Sequence, residues 1–110
     1  MMHYEQQWIE KLDEIIEQNI NNPEFVLADL VKAIATSPAQ LNRRVNKLTG
    51  LSPRMYIRHK RLTRAKELLE IGMYPIVKEV ALAVGYQHTS YFSTIFYEKF
   101  NKRPIEYLEK

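Results

Sequence analysis

Apolar side chains recur along this chain at three- and four-residue steps and never alternate with period two, which predicts an all-α protein. Trp8, Ile9, Leu12, Ile15 and Ile16 form a stripe opposite Glu10, Asp13, Glu14 and Glu17, so a first helix is expected over about residues 5–19. Asn21-Asn22-Pro23 ends it, because proline cannot continue a helix. Leu27, Leu30, Val31 and Ile34 predict a second helix over about 27–35. Ser37 then supplies an N-cap and Pro38 a first helical residue for a third helix to Leu48, burying Leu41, Val45 and Leu48 and closed by Gly50. Ser52-Pro53 opens a fourth helix in the same way, running to about Ile71 over Tyr56, Ile57, Leu62, Ala65, Leu68 and Leu69. Gly72 ends it, and Pro75 precedes a fifth over Ile76, Val77, Val80, Ala81 and Val84. A sixth covers about 89–99 with Phe92, Ile95, Phe96 and Phe100, and Pro104 starts a short last one with Ile105, Tyr107 and Leu108.

The pattern also repeats. Leu30, Ala33, Ile34 and Ala35 match Val80, Ala83, Val84 and Gly85 at an offset of 50. After one extra residue in the turn, Leu41, Val45, Gly50, Pro53 and Tyr56 match Phe92, Phe96, Asn101, Pro104 and Tyr107 at an offset of 51. Gly50 against Asn101 is a physical match, since both residue types tolerate the left-handed conformation that closes a helix. A unit of helix, tight turn, helix, cap and proline-started helix therefore occurs twice, with the helix 53–71 between the copies. Two short helices joined by such a turn form a helix-turn-helix, whose second helix can enter a major groove.

Charge sharpens this reading. Residues 1–29 hold seven carboxylates against Lys11, whereas residues 30–66 hold Lys32, Arg43, Arg44, Lys47, Arg54, Arg58, Lys60, Arg61, Arg64 and Lys66 and no acid. A solvated face usually mixes signs for i,i+4 pairing, so an acid-free basic stretch points to a polyanion partner. The solvent face of helix 38–48 displays Gln40, Asn42, Arg43, Asn46 and Lys47, carboxamide and guanidinium groups suited to reading base edges, with a lysine for phosphate. The equivalent face of helix 89–99, including His88 before it, shows Thr89, Ser90, Ser93, Thr94 and Tyr97, which are polar but lack a guanidinium.

The chain resembles the DNA-binding domain of the AraC/XylS family of bacterial transcription regulators. The resemblance is carried by SPAQLNRRVNKLTGLSPRMYIRHKRLTRAKELL (37–69) and IVKEVALAVGYQHTSYFSTIFYEKFNKRPIEYL (76–108). It implies two helix-turn-helix units joined by a connector helix, each placing a recognition helix in one of two successive major-groove segments. At 1.5 Å per residue the connector is roughly 27 Å long, comparable to the ~34 Å between successive groove faces. Carried over by position, Ala39, Asn42 and Arg43 are base-reading residues of the first helix, and Thr89, Ser90, Ser93 and Thr94 of the second; the face itself adds Gln40. Thr94 stands where many members have arginine, so the second unit is expected to give less base-specific energy. Asn101 replaces the usual glycine and Leu108 a common arginine. The implied organisation is a leading acidic helix over 1–24, then a domain over 25–110 with helix-turn-helix units at about 27–50 and 76–100, a connector at 53–71 and a terminal helix at 104–109.

Arg44, Lys47, Arg54, Lys99 and Lys102 are expected at phosphates, and backbone N–H groups near Leu27 and Ile76 could join them. Arg61 lies beside core positions of the connector, where a structural pairing with a carboxylate such as Glu67 or Glu79 is expected. Phe92, Phe96 and Phe100 at i,i+4 steps read as core before they read as a stacking platform for single strands.

Catalysis has little support. His3, His59 and His88 lack metal-ligand spacing, the three glycines form no phosphate loop, and the absence of cysteine excludes disulfides and thiolate metal sites. No cofactor or metal is expected. No apolar run reaches the roughly 20 residues that span a bilayer, and the N-terminus has no signal-peptide pattern, so a cytoplasmic location without membrane contact is expected. The expected partners are double-stranded DNA, a sensing or dimerising domain of a longer protein, and the transcription machinery. A helical module docking an acidic protein, or one binding RNA by shape alone, are the competing readings.

Overall fold

The computed structural model describes residues 2–109, with side chains from Tyr4. Among them lie seven helices and no strand: α1 (Met2–Gln18), α2 (Leu27–Ala33), α3 (Pro38–Thr49), α4 (Pro53–Ile71), α5 (Val77–Ala83), α6 (Thr89–Phe100) and α7 (Pro104–Leu108). The helix starts follow their chemistry. Ser37 Oγ accepts from the backbone N–H of Gln40 at 3.2 Å, and Ser52 Oγ accepts from that of Met55 at 3.2 Å, so both Ser-Pro pairs act as N-caps. At the start of α2 the Val26 N–H donates to the Asp29 carboxylate at 2.9 Å, and at α7 the Arg103 N–H donates to that of Glu106 at 2.8 Å. The backbone N–H of Arg103 above all, with help from its guanidinium and from Lys102, holds the Glu106 carboxyl below the usual carboxylate range.

The chain divides into two units. The first comprises the residues up to Ile20 with Glu24–Lys60, the second Asn21–Pro23 with Arg61 onward, and α4 supplies turns to both. In the first unit Leu12 and Ile16 of α1 pack with Phe25, Leu30, Ile34, Leu41, Val45, Tyr56 and Ile57. Leu12 is 0% exposed, as are Leu41 and Val45, so α1 is a full member of this core and not a loose leader. Asp13 fastens the same helix by accepting the Tyr56 phenol hydrogen and pairing with Lys60 at 3.3 Å. Trp8 is half-buried against this cluster.

In the second unit Leu62, Ala65 and Leu69 of α4 meet Val80, Ala81 and Val84 of α5 and Phe92, Ile95 and Phe96 of α6. The rings of Phe92 and Phe96 lie 5.7 Å apart and those of Phe96 and Phe100 4.7 Å apart, so Phe92 and Phe96 are core, as their spacing implied, while Phe100, expected to be buried as well, is half-buried against them. Arg61 is only 6% exposed. It donates to the Val84 carbonyl at 2.7 Å and to the Asn22 carbonyl at 3.1 Å, with its guanidinium 5.9 Å from the centre of the Tyr86 ring. Burial pushes its pKa down, with the Tyr86 hydroxyl acting in the opposite sense. Its role is structural, as expected, although these bonds run to carbonyls where the sequence had suggested Glu67 or Glu79.

The repeat is visible in the backbone. Four residues separate α2 from α3 and five separate α5 from α6, which is the extra residue the offset required. Ala35 (φ 54°) and Gly85 (φ 90°) occupy the left-handed region after the first helix of each copy, and Gly50 (φ 78°) and Asn101 (φ 56°) occupy it after the second. Other local expectations need correcting too. Ile34 caps α2 instead of lying within it, and Leu48 is half-buried. Ile76 is the N-cap of α5, and its extended backbone (φ −131°, ψ 151°) takes the side chain off the packed face and leaves it 51% exposed.

Candidate nucleic-acid interface

In the first unit α3 follows its turn with one face sealed by Leu41 and Val45, so the positions between them turn outward. Ala39, Gln40, Asn42, Arg43, Asn46 and Lys47 are all exposed. They are not equally mobile. Gln40 Oε1 accepts from the Thr36 hydroxyl at 3.1 Å, which orients the carboxamide from the turn below. The two basic neighbours on this helix are drawn toward α1. The Arg44 guanidinium sits 4.2 Å above the Trp8 ring, and Lys47 forms an exposed pair with Glu5 at 3.6 Å. That pair, with the lysine side chain 74% exposed, is weak enough to exchange for a phosphate. Arg54, at the start of α4, lines a small open cavity of about 200 Å³ with Phe25, Val26, Leu27 and Ile57, which sets its side chain beside the start of α2.

In the second unit Ser90, Thr94 and Tyr97 of α6 are exposed, while Thr89 and Ser93 are half-buried. The Thr94 hydroxyl donates to the Ser90 carbonyl one turn back at 3.0 Å. Ser93, Thr94 and Tyr97, with Glu98 and Arg103, line an open hollow of about 400 Å³. Lys99 and Lys102 lie against rings, 5.6 Å from the centre of Phe100 and 4.0 Å from that of Tyr107.

The predicted reading residues thus form two groups, one on α3 and one on α6. Thr36 was missed, although its i,i+4 spacing to Gln40 across a helix start is the available signal. Glu98 and Arg103 were missed as well, because nothing in the helical period marks them as neighbours of the reading face. Among the described residues, no group of three or more His, Asp or Glu side chains could hold a metal ion, and no helix is long and apolar enough to cross a membrane.

Two helix-turn-helix units, each turning the solvent face of its second helix outward, define a double-reading module of the regulator class. A family described as a helix-turn-helix domain matches residues 30–110. The chain is 34% identical over 103 residues to the HTH-type transcriptional regulator MtrA of Neisseria gonorrhoeae, covering 91% of this chain and 34% of that protein. It is 30% identical over 103 residues to histidine kinase P4 of Formosa agariphila, covering 94% of this chain and 7% of the kinase. The chain therefore spans about a third of the length of MtrA and under a tenth of that of the kinase.

Among solved structures, a transcriptional regulator with an AraC-type DNA-binding domain from Chromobacterium violaceum superposes with a TM-score of 0.83 at 26% identity, covering 94% of this chain and 90% of that one. The DNA-binding domain of the global transcriptional factor AdpA, solved in complex with a target DNA, superposes with a TM-score of 0.76 at 25% identity, covering 89% of each chain. The chain belongs to the AraC/XylS helix-turn-helix family of transcription regulators.

Proposed function

We propose that this chain is the DNA-binding output module of a transcription regulator and acts without catalysis of its own. It holds double-stranded DNA with α3 and α6 in successive major-groove segments on one face of the duplex. The observation that carries this reading is the outward face of α3, where Gln40, Asn42 and Arg43 stand exposed on a helix whose other face is fixed in a core. Carboxamides and guanidinium groups can each make paired hydrogen bonds to a purine edge, which few other surfaces would require side by side. Support also comes from the acid-free basic stretch 30–66 and from the DNA held by the AdpA domain.

Arg44, Lys47, Arg54, Lys99 and Lys102 supply phosphate contacts around the two reading helices. The module works in the cytoplasm, joined in a longer protein to a sensing or dimerising domain that sets when it acts on the transcription machinery.

The test is selection of bound sequences from a randomised duplex pool at two salt concentrations, with Arg43→Ala run alongside. Two enriched blocks about one helical turn apart are expected, the first erased by Arg43→Ala. Salt-sensitive retention without any enriched sequence, reduced uniformly by Arg43→Ala, would make the basic stretch a general polyanion surface instead.

A further inference from the structure

The two reading helices offer different chemistry. On α3 the exposed groups are hydrogen-bonding planes: the carboxamides of Gln40 and Asn42 and the guanidinium of Arg43. On α6 the exposed Ser90, Thr94 and Tyr97 and the half-buried Ser93 carry small hydroxyls, one methyl and one phenol ring, while Tyr91, Glu98 and Lys99 are the other exposed residues of that helix. The Thr94 hydroxyl hydrogen is taken up by the Ser90 carbonyl. A threonine so bonded turns its oxygen to the helix and its methyl away from that carbonyl. Beside it, Tyr97 is 48% exposed, and the two side chains share the walls of an open hollow with Ser93, Glu98 and Arg103. Arg103 is held at one edge of that hollow by its 3.3 Å pair with Glu106.

A methyl and an aromatic ring around a shallow hollow suit an apolar protrusion. The major groove presents one, the C5-methyl of thymine. We propose that α6 reads thymine methyl groups by apolar contact with Thr94 and Tyr97, while α3 reads purine edges by hydrogen bonding. The target is then chemically asymmetric, with a purine-edge block under α3 and a thymine block under α6. This rests on the DNA reading above and adds the base class that the second unit selects. Cytosine is the competing base, since the Glu98 carboxylate could accept from its amino group.

The experiment uses the whole chain and the duplex recovered by selection, with single-atom changes that leave base pairing intact. Deoxyuridine in place of thymidine removes only the methyl, and 7-deazapurines remove only the N7 acceptor. In the second block, deoxyuridine should weaken binding about fourfold per lost contact, the value expected for one buried methyl. Thr94→Ser, which keeps the hydroxyl and loses the methyl, should abolish most of that sensitivity. 7-Deazapurines should weaken the first block about tenfold and the second less than about twofold, since a bidentate purine contact is worth roughly 1–3 kcal/mol. A second block indifferent to deoxyuridine overturns the proposal, as does one rich in cytosine whose preference is lost in Glu98→Gln. Failure to retain any duplex would sink the DNA reading itself, a result distinct from both.

Discussion

Arg61 of α4 donates a 2.7 Å hydrogen bond to the carbonyl of Val84, the residue that caps α5. Val84 is 0% exposed, so water cannot replace that donor. Arg61→Ala should cost about 2–3 kcal/mol, combining an unsatisfied buried carbonyl with lost packing of the arginine stem. Arg61→Lys should recover less than half, because a compact ammonium cannot reproduce the planar fork that reaches both carbonyls. Urea denaturation measures this, and an alanine variant within about 0.5 kcal/mol of the parent would refute the role.

The pair Ala35 and Gly85 makes opposite predictions at equivalent positions. Left-handed backbone costs an L-residue about 1–2 kcal/mol, part of which glycine gives back through its freer unfolded chain. Ala35→Gly should therefore raise stability by up to about 1 kcal/mol, and Gly85→Ala should lower it by about 1–2 kcal/mol. Thermal melts of the two variants suffice, and shifts of the same sign would contradict the argument.

Adjacent arginines on α3 separate reading from folding. Arg43→Ala should cost about 1–3 kcal/mol of duplex binding and relax preference at one base pair, with the melting temperature unchanged. Arg44→Ala should remove about 0.5–1 kcal/mol of stability through its stacking on Trp8. Its effect on binding should be uniform across sequences. A sequence-dependent loss in Arg44→Ala would place that side chain at a base.

Thr36 carries no reading group of its own, yet it holds the carboxamide of Gln40 from the turn. Thr36→Val keeps the shape and removes the hydroxyl, so stability should change by less than about 0.5 kcal/mol. Repeated selection should show the preference flattened at a single position of the first block. An unaltered position profile would mean that Gln40 is held by the DNA alone.

Burial, reinforced by the neighbouring Asp13 carboxylate, pushes the Tyr56 phenol above its ordinary pKa. Because the folded value is raised, the associated stability is fully present below the ordinary tyrosine value of about 10 and is lost as the pH rises beyond it. Stability should therefore fall above about pH 10, and Tyr56→Phe should flatten that limb of the curve while weakening the protein at neutral pH. Circular dichroism melts between about pH 9 and 11 would show it. Identical alkaline slopes for the two proteins would exclude Tyr56 as the cause.

Much of this molecule could be read from its letters because the helix boundaries are written in side chains. Two Ser-Pro pairs start α3 and α4, a glycine ends each of them, and the match of Gly50 to Asn101 anticipated a shared backbone conformation. What escaped depended on partners that periodicity does not name. A backbone carbonyl has no letter, so the Val84 and Asn22 oxygens that accept from Arg61 cannot be named from the sequence. The stacking of Arg44 on Trp8 requires knowing where α1 lies across α3. Ile76 counts as apolar in any pattern, but its place at the N-cap, ahead of the first helical turn, leaves it in water.

The family's match begins at residue 30, whereas the first core begins some twenty residues earlier, where Trp8, Leu12 and Ile16 complete it. The segment that the family description covers is thus shorter than the packed unit that holds α3. A fragment cut at residue 30 would keep Arg43 and Asn42 and lose the wall behind them. The likeness to MtrA and to histidine kinase P4, covering 91% and 94% of this chain, reaches back into the helix that closes that wall.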